Sequence, residues 1–308
     1  MTALGTVLAI AAPVFLVIGA GYLAAARGLV DPAGFRGLNA FAFNLAAPAL
    51  LFAGGTAGHA GGGGAALAFF LGAAALYLPT LLLARPRLGL ARAGTLALDA
   101  TFGNTVMMGI PLVAAAFGQA GLAILVAILA LHSMVILGTA TVVAEVAAHP
   151  GARPWSLLRA TLGGVLRNPI VMAVLLALVW SSLALPVPGP LRRTLELLGA
   201  AAPPVSLFCL GGSLAAFRAT GAARTGLVAA LKLLALPLLV WGFCRALALP
   251  PLDTAVAVVT AALPTGANAF LMARRYATGA EESGAAVLVT TALAIGTLSA
   301  ALAFLAPA

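Results

Sequence analysis

The charged residues of this chain come in small clusters separated by long uncharged gaps, and that spacing constrains the fold more than any motif does. No charge precedes Arg27. None lies between Arg36 and Arg85, Asp99 and Glu145, Arg167 and Arg192, Glu196 and Arg218, or Asp253 and Arg274, and none follows Glu282. Most gaps hold one or two apolar stretches of about 20 residues, the length of helix that crosses a hydrocarbon core about 30 Å thick. Hydrophobic residues make up 63% of the sequence and charged residues 7%, against about 25% charged in a soluble domain. A water-soluble fold of 308 residues has too little interior for that much apolar surface. Lipid must be the solvent for much of it, and the chain reads as an all-α polytopic membrane protein.

Apolar runs between turn and charge clusters predict ten transmembrane helices, near 4–24, 37–57, 65–84, 94–117, 121–145, 162–185, 194–216, 226–248, 253–273 and 284–306. A glycine-rich linker, Gly58 to Gly64, separates spans two and three, and Pro186 to Pro190 separates six and seven. The first run lacks a basic leader and is long enough to span, so it reads as a retained helix and not as a cleaved signal. Cytoplasmic loops are enriched in Arg and Lys. The odd-numbered loops hold thirteen such residues, namely Arg27, Arg36, Arg85, Arg87, Arg92, Arg153, Arg159, Arg167, Arg218, Arg224, Lys232, Arg274 and Arg275. The even-numbered loops hold three, Arg192, Arg193 and Arg245. The odd loops are therefore expected inside the cell, and both termini outside or periplasmic. A formal charge of +9 would suggest nucleic acid in a soluble protein. Here the basic residues are scattered in ones and twos without aromatic interleaving, so no nucleic-acid partner is expected.

Proline spacing suggests an internal repeat. Pro13 and Pro48 are 35 residues apart, as are Pro169 and Pro204; at that offset of 156, Pro48, Leu51, Phe52 and Gly55 lie over Pro204, Leu207, Phe208 and Gly211. Pro79 pairs roughly with Pro237. The expected organisation is a first five-helix repeat over 1–148, a cytoplasmic linker over 149–160 and a second repeat over 161–308. Five spans per half make the second half inverted, a signature of secondary transporters.

The candidate chemistry lies in two corresponding spans. Span four carries Gly103, Asn104, Thr105, Gly109 and Pro111; span nine carries Pro264, Thr265, Gly266 and Asn268. Proline removes a backbone donor and clashes with the preceding turn, so both helices are expected to unwind near midplane, with Pro111 and Pro264 starting the second half-helices. Unwound backbone at that depth is tolerated only inside protein or along a wet cavity. Two half-helix N-termini pointing inward would favour an anion, held by Asn104 and Asn268 as amide donors and Thr105 and Thr265 as hydroxyl partners. The alternative is a pair of proline kinks with Asn and Thr bonding neighbouring helices.

Other intramembrane polar residues carry weaker signals. His132 is a candidate proton carrier, with a hydrogen-bonded packing role as the alternative. Asn44 either faces the cavity or bonds across helices. Asp99, five residues before Asn104 and about 7.5 Å toward the cytoplasm by helical rise, is a candidate proton or cation carrier; a helix-start carboxylate at the interface is the plainer reading. Glu145, Glu196 and Asp253 fall near helix ends. Cys209 and Cys244 lie within spans and imply no disulfide framework. His59, His132 and His149 are too dispersed for a zinc site. The glycines at 61–64 lack the Lys-Ser/Thr ending of a phosphate loop, and there is no nucleophile elbow. No enzyme activity, metal or organic cofactor is expected.

The segments Leu38-Asn39-Ala40-Phe41-Ala42-Phe43-Asn44 through Phe52, Gly103-Asn104 through Leu112, Asn168-Pro169 and Ala262-Leu263-Pro264-Thr265-Gly266-Ala267-Asn268-Ala269-Phe270 resemble the auxin efflux carrier family in its bacterial branch, which includes malonate-permease-like proteins. The likeness runs over essentially the whole chain. It implies ten helices as two inverted repeats with crossed, broken helices 4 and 9, as in sodium/proton antiporters and bile-acid symporters. Spans 1, 2, 6 and 7 would form a scaffold, with a possible homodimer interface, around a moving core of spans 3–5 and 8–10. It implies small carboxylate substrates bound by Asn104, Pro111, Pro264 and Asn268. The long hydrophilic central loop of plant members is absent, since 147–160 is short.

The combined expectation is a secondary transporter of the inner membrane, surrounded by lipid and moving a small mono- or dicarboxylate by alternating access with an elevator-like core. Since no acidic residue is expected at either break, uniport or proton coupling is favoured over sodium. The alternatives are a sodium-coupled organic-anion symporter on the same fold and a non-transport membrane sensor.

Overall fold

The structure, a computed structural model, describes residues 3–56, 62–148, 169–183 and 185–305. The expected linker 149–160, Asn168, the first residues of span six and most of the glycine-rich linker lie outside them. Within the described residues the fold is helical, with turns, short extended links and one isolated antiparallel bridge. The segments are α1 (Ala3–Ala26), α2 (Pro32–Gly55), α3 (Gly63–Thr101), α4 (Thr105–Ala148) and α5 (Pro169–Ser182). They continue as α6 (Gly189–Leu214), α7 (Ala222–Ala246), α8 (Pro251–Ala262), α9 (Ala267–Arg275) and α10 (Ala280–Leu305). Six of these, α2, α3, α4, α6, α7 and α10, are long and apolar enough to cross a membrane; Ala12–Ala26, α5 and α8 are shorter apolar helices. Large apolar side chains stand outward along them, among them Leu83, Leu238, Leu293 and Phe304. Only a lipid exterior makes such a surface stable.

Two of the long segments are bent sharply at glycines. Gly89 (φ 74°, ψ 163°) divides α3 into 63–88 and an arm 90–101, and Gly118 (φ 61°, ψ −153°) divides α4 into 105–117 and 119–148. Both glycines adopt left-handed φ, which a side chain would oppose. Without those bends, 63–101 and 105–148 would each run as a single rod.

Several helices widen by one residue per turn beside a proline. Over Ala42–Ala46, Thr105–Gly109 and Leu231–Ala235 the bonding shifts to the fifth residue back, and Pro48, Pro111 and Pro237 each follow two residues beyond the widened turn. A proline ring clashes with the carbonyl four residues earlier and offers no N–H. The wider turn relieves that clash without breaking the helix. Pro111 was expected to open a half-helix, but it sits inside one that already begins at Thr105.

Helix pairing is close where glycines allow it. The second half of α6 packs along α1. A Cβ on Gly21 would lie 2.0 Å from the Phe208 carbonyl oxygen, and one on Gly211 would lie 1.9 Å from that of Ile18. Backbone-to-backbone approach of this kind lets dispersion hold membrane helices together where no hydrophobic drive separates lipid from side chain. The second half of α2 packs on α5 and on the first half of α6, and α3 packs on α7.

Candidate functional site

The arm 90–101 ends at Thr101, the chain leaves the helix through an extended Phe102, Gly103 and Asn104, and α4 begins at Thr105. On the other side α8 ends at Ala262, Leu263 to Gly266 run extended, and α9 begins at Ala267. Pro264 bars its predecessor from helical geometry, which accounts for Leu263 at ψ 146°. Pro264 was expected to open the second half-helix, yet it lies inside the extended stretch, three residues before α9.

The two extended stretches cross as an antiparallel bridge at Gly103 and Thr265. The Asn104 N–H donates to the Pro264 carbonyl at 2.8 Å, and the Gly266 N–H donates to the Phe102 carbonyl at 2.9 Å. Each break therefore satisfies backbone groups that the other leaves open, as lipid-embedded backbone requires. A Cβ on Gly266 would meet the Phe102 ring at 2.8 Å and the Gly103 carbonyl oxygen at 2.9 Å, so only glycine allows the crossing. Gly109 permits a similar approach of α4 to the Leu263 side chain.

A cavity of about 620 Å³ opens beside this crossing, within the size range of small-molecule sites. The first turns of both second half-helices face it, Thr105, Val106 and Met107 from α4 and Ala267 and Asn268 from α9. The leading N–H groups of a helix have no intrahelical acceptor and carry a partial positive charge. Asn104 lines the same cavity, is 5% exposed, and its side-chain Nδ2 has no hydrogen-bond partner. A buried, unpartnered amide donor and two helix N-termini beside one cavity are groups that attract a negatively charged acceptor.

The other sequence-derived candidates distribute as follows. Thr105 is buried and lines the cavity; its hydroxyl is 3.4 Å from His132 Nδ1. His132 itself stands one layer behind, its ring packed against Phe102 and Phe69 and its Nε2 unpartnered. Asn268 lines the cavity and is exposed to it. Thr265 does not reach the cavity. Its hydroxyl donates to the Asp99 carbonyl at 2.8 Å and its N–H to Thr290 Oγ1 at 3.0 Å, so both groups tie the crossing together. Asn44 is exposed on the widened turn of α2 and does not line the cavity either.

Asp99 is no interfacial helix-start residue, since it is fully buried near the end of the arm 90–101. Ser283 Oγ donates to its Oδ1 at 2.5 Å, and Arg224 lies 3.4 Å from Oδ2 while also donating to Glu282 at 2.6 Å. This cluster joins α3, α7 and α10 and compensates a carboxylate placed against the negative end of its own helix.

Three polar features escaped the sequence reading. Arg36 and Asn39, one helical turn apart on α2, stand exposed at the cavity's rim. Lys232, counted above among the loop residues, is fully buried inside α7, with Nζ donating to the Ala261 carbonyl at 2.6 Å. Removing it from the tally leaves twelve basic residues against three (thirteen less Lys232), and the asymmetry persists. A single lysine in an apolar run looks like a loop edge, whereas Arg36 and Asn39 carried an i, i+3 signal that could have been followed.

These features describe a helical protein of the membrane with a cavity beside the crossing of two broken helices. A family model described as "Membrane transport protein" matches residues 6–302. The chain belongs to this family, that of the auxin efflux carriers, and is a multi-pass membrane transporter and not an enzyme. It is similar to a protein of Rhizobium meliloti (strain 1021) named "Putative malonate transporter", with 29% identity over 134 residues, which cover 43% of this chain and 42% of that protein. The match thus spans less than half of the relative's length.

Proposed function

We propose that this protein moves a small mono- or dicarboxylate across the membrane, binding it at the crossing through Asn104, Asn268, Thr105 and the N-termini of α4 and α9. The observation that carries this reading is the buried, unpartnered Asn104 amide between two inward-facing helix N-termini. Arg36 at the rim would draw anions toward the mouth. The name of the Rhizobium relative agrees with a carboxylate substrate.

The proposed architecture is ten spans in two inverted repeats, dividing α3 and α4 at Gly89 and Gly118 and counting α8 with α9 as one broken span. The helix pairing supports it. At the 156-residue offset, the contact of α1 with the second half of α6 exchanges with that of α5 with the second half of α2. The cavity is rimmed by Val30, Pro32 and Arg36 before and within α2 and by Ala215 to Phe217 after α6, which is the arginine-rich side. With that side cytoplasmic and both termini outside, the cavity faces inward in an inner membrane. Movement of the crossed core against α1, α2, α5 and α6 would expose it alternately to either side, as uniport or with a proton.

The test is uptake of radiolabelled carboxylates into proteoliposomes, with pH and sodium gradients imposed separately. Malonate or another small carboxylate should accumulate or exchange, and unlabelled carboxylates should compete. Failure of every organic anion to move or bind under any gradient would sink this reading.

A further inference from the structure

The carbonyl ends of the two broken helices are closed in different ways. At the end of the arm 90–101 neutral groups do it, the Thr265 hydroxyl on the Asp99 carbonyl and the Gly266 N–H on the Phe102 carbonyl. At the end of α8 a lysine does it, with Lys232 Nζ on the Ala261 carbonyl at 2.6 Å. The last four carbonyls of a helix receive no intrahelical N–H donor, and together they carry a partial negative charge. In secondary transporters, such ends of broken helices at membrane depth are where coupling cations are held.

Lys232 lies on the widened turn Leu231–Ala235 of α7 and is among the largest fully buried side chains. Among the described residues it forms no ion pair. Asp99 is turned away toward Ser283 and Arg224, and His132, the other titratable group beside the crossing, bonds Thr105. A Cβ added to Gly103 would lie 3.6 Å from Nζ. One glycine thus separates the ammonium from the cavity that Gly103 and Asn104 line. A charge buried without a counter-charge is costly, and an anion arriving on the far side of that glycine offsets the cost.

We infer that Lys232 is a tethered cation: it occupies the carbonyl end of α8 where a dissociable ion would otherwise sit, and it supplies the positive charge against which the substrate anion is held. This rests on the carboxylate reading above and goes further, since it makes transport independent of sodium.

The experiment compares wild type, Lys232→Met and Lys232→Ala in proteoliposomes with labelled malonate, with sodium replaced by choline in one arm and methylammonium added in another. Wild-type uptake is expected to be the same in sodium and in choline. Lys232→Met, close in volume but uncharged, should lose about 30-fold or more in uptake. Lys232→Ala should lose as much and regain part of it with methylammonium or sodium, which a purely structural role would not allow. Wild-type dependence on sodium, or a Lys232→Met variant as active as wild type, overturns the inference. If wild type moves no organic anion, the carboxylate reading falls by itself, and thermal unfolding then reads the cation site. Methylammonium should stabilise Lys232→Ala and not wild type, and a Lys232→Ala melting temperature unmoved by methylammonium and sodium overturns the tethered cation.

Discussion

Replacing Asn104 with alanine is expected to abolish measurable carboxylate transport while leaving a folded protein. The Nδ2 donor has no protein partner, so its removal orphans no buried group, and the cost falls on the ligand alone. A hydrogen bond to a charged acceptor contributes about 1.5–3 kcal/mol, so affinity should weaken by about 10- to 150-fold. Asn104→Asp should be worse, because its carboxylate would compete with the ligand for the helix N-termini and repel the ligand's like charge. The backbone N–H of Asn104, which bonds Pro264, is untouched by either change. Thermal unfolding close to wild type, together with lost substrate protection, would bear out the assignment. Full transport by Asn104→Ala would remove the residue from the site.

Gly266→Val should act on the crossing itself and therefore on stability as well as transport. Its Cβ would press on the Phe102 ring and on the Gly103 carbonyl, and backbone cannot yield as a flexible side chain can. Overpacking typically costs about 1–3 kcal/mol. Here it also threatens the Gly266 N–H bond to Phe102, whose loss leaves polar groups unsatisfied in lipid. The expected result is a lowered melting temperature and no uptake. Gly296→Ala serves as the control, since nothing lies within 4 Å of its added carbon. A Gly266→Val protein as stable and as active as that control would show that the crossing tolerates separation.

Much of this was legible in the sequence because membrane helices announce themselves by length and by the charges that flank them. The gaps between charge clusters located the helices, and Gly103, Pro264 and Gly266 located the breaks. Finer structure was not legible, because it depends on partners far along the chain. Pro111 and Pro264 look alike in sequence, yet a widened turn accommodates the first while the second lies within an unwound stretch. Thr265 seemed as suited to a ligand as Thr105, but Asp99 and Thr290 engage its hydroxyl and its N–H. Asp99 seemed interfacial because its compensating groups, Ser283 and Arg224, lie 184 and 125 residues away. Lys232 passed as a loop residue because its acceptor is a carbonyl, a group that every residue carries and no sequence pattern distinguishes.

The most direct test is a crystal structure of the protein with a bromine-bearing small carboxylate that competes for transport, located by the anomalous signal of bromine. Its carboxylate should lie within hydrogen-bonding reach, about 3 Å, of Asn104 Nδ2 and in front of the first turns of α4 and α9. A competing anion bound elsewhere, with the cavity beside Gly103 and Thr265 empty, would contradict a site built from the crossed breaks.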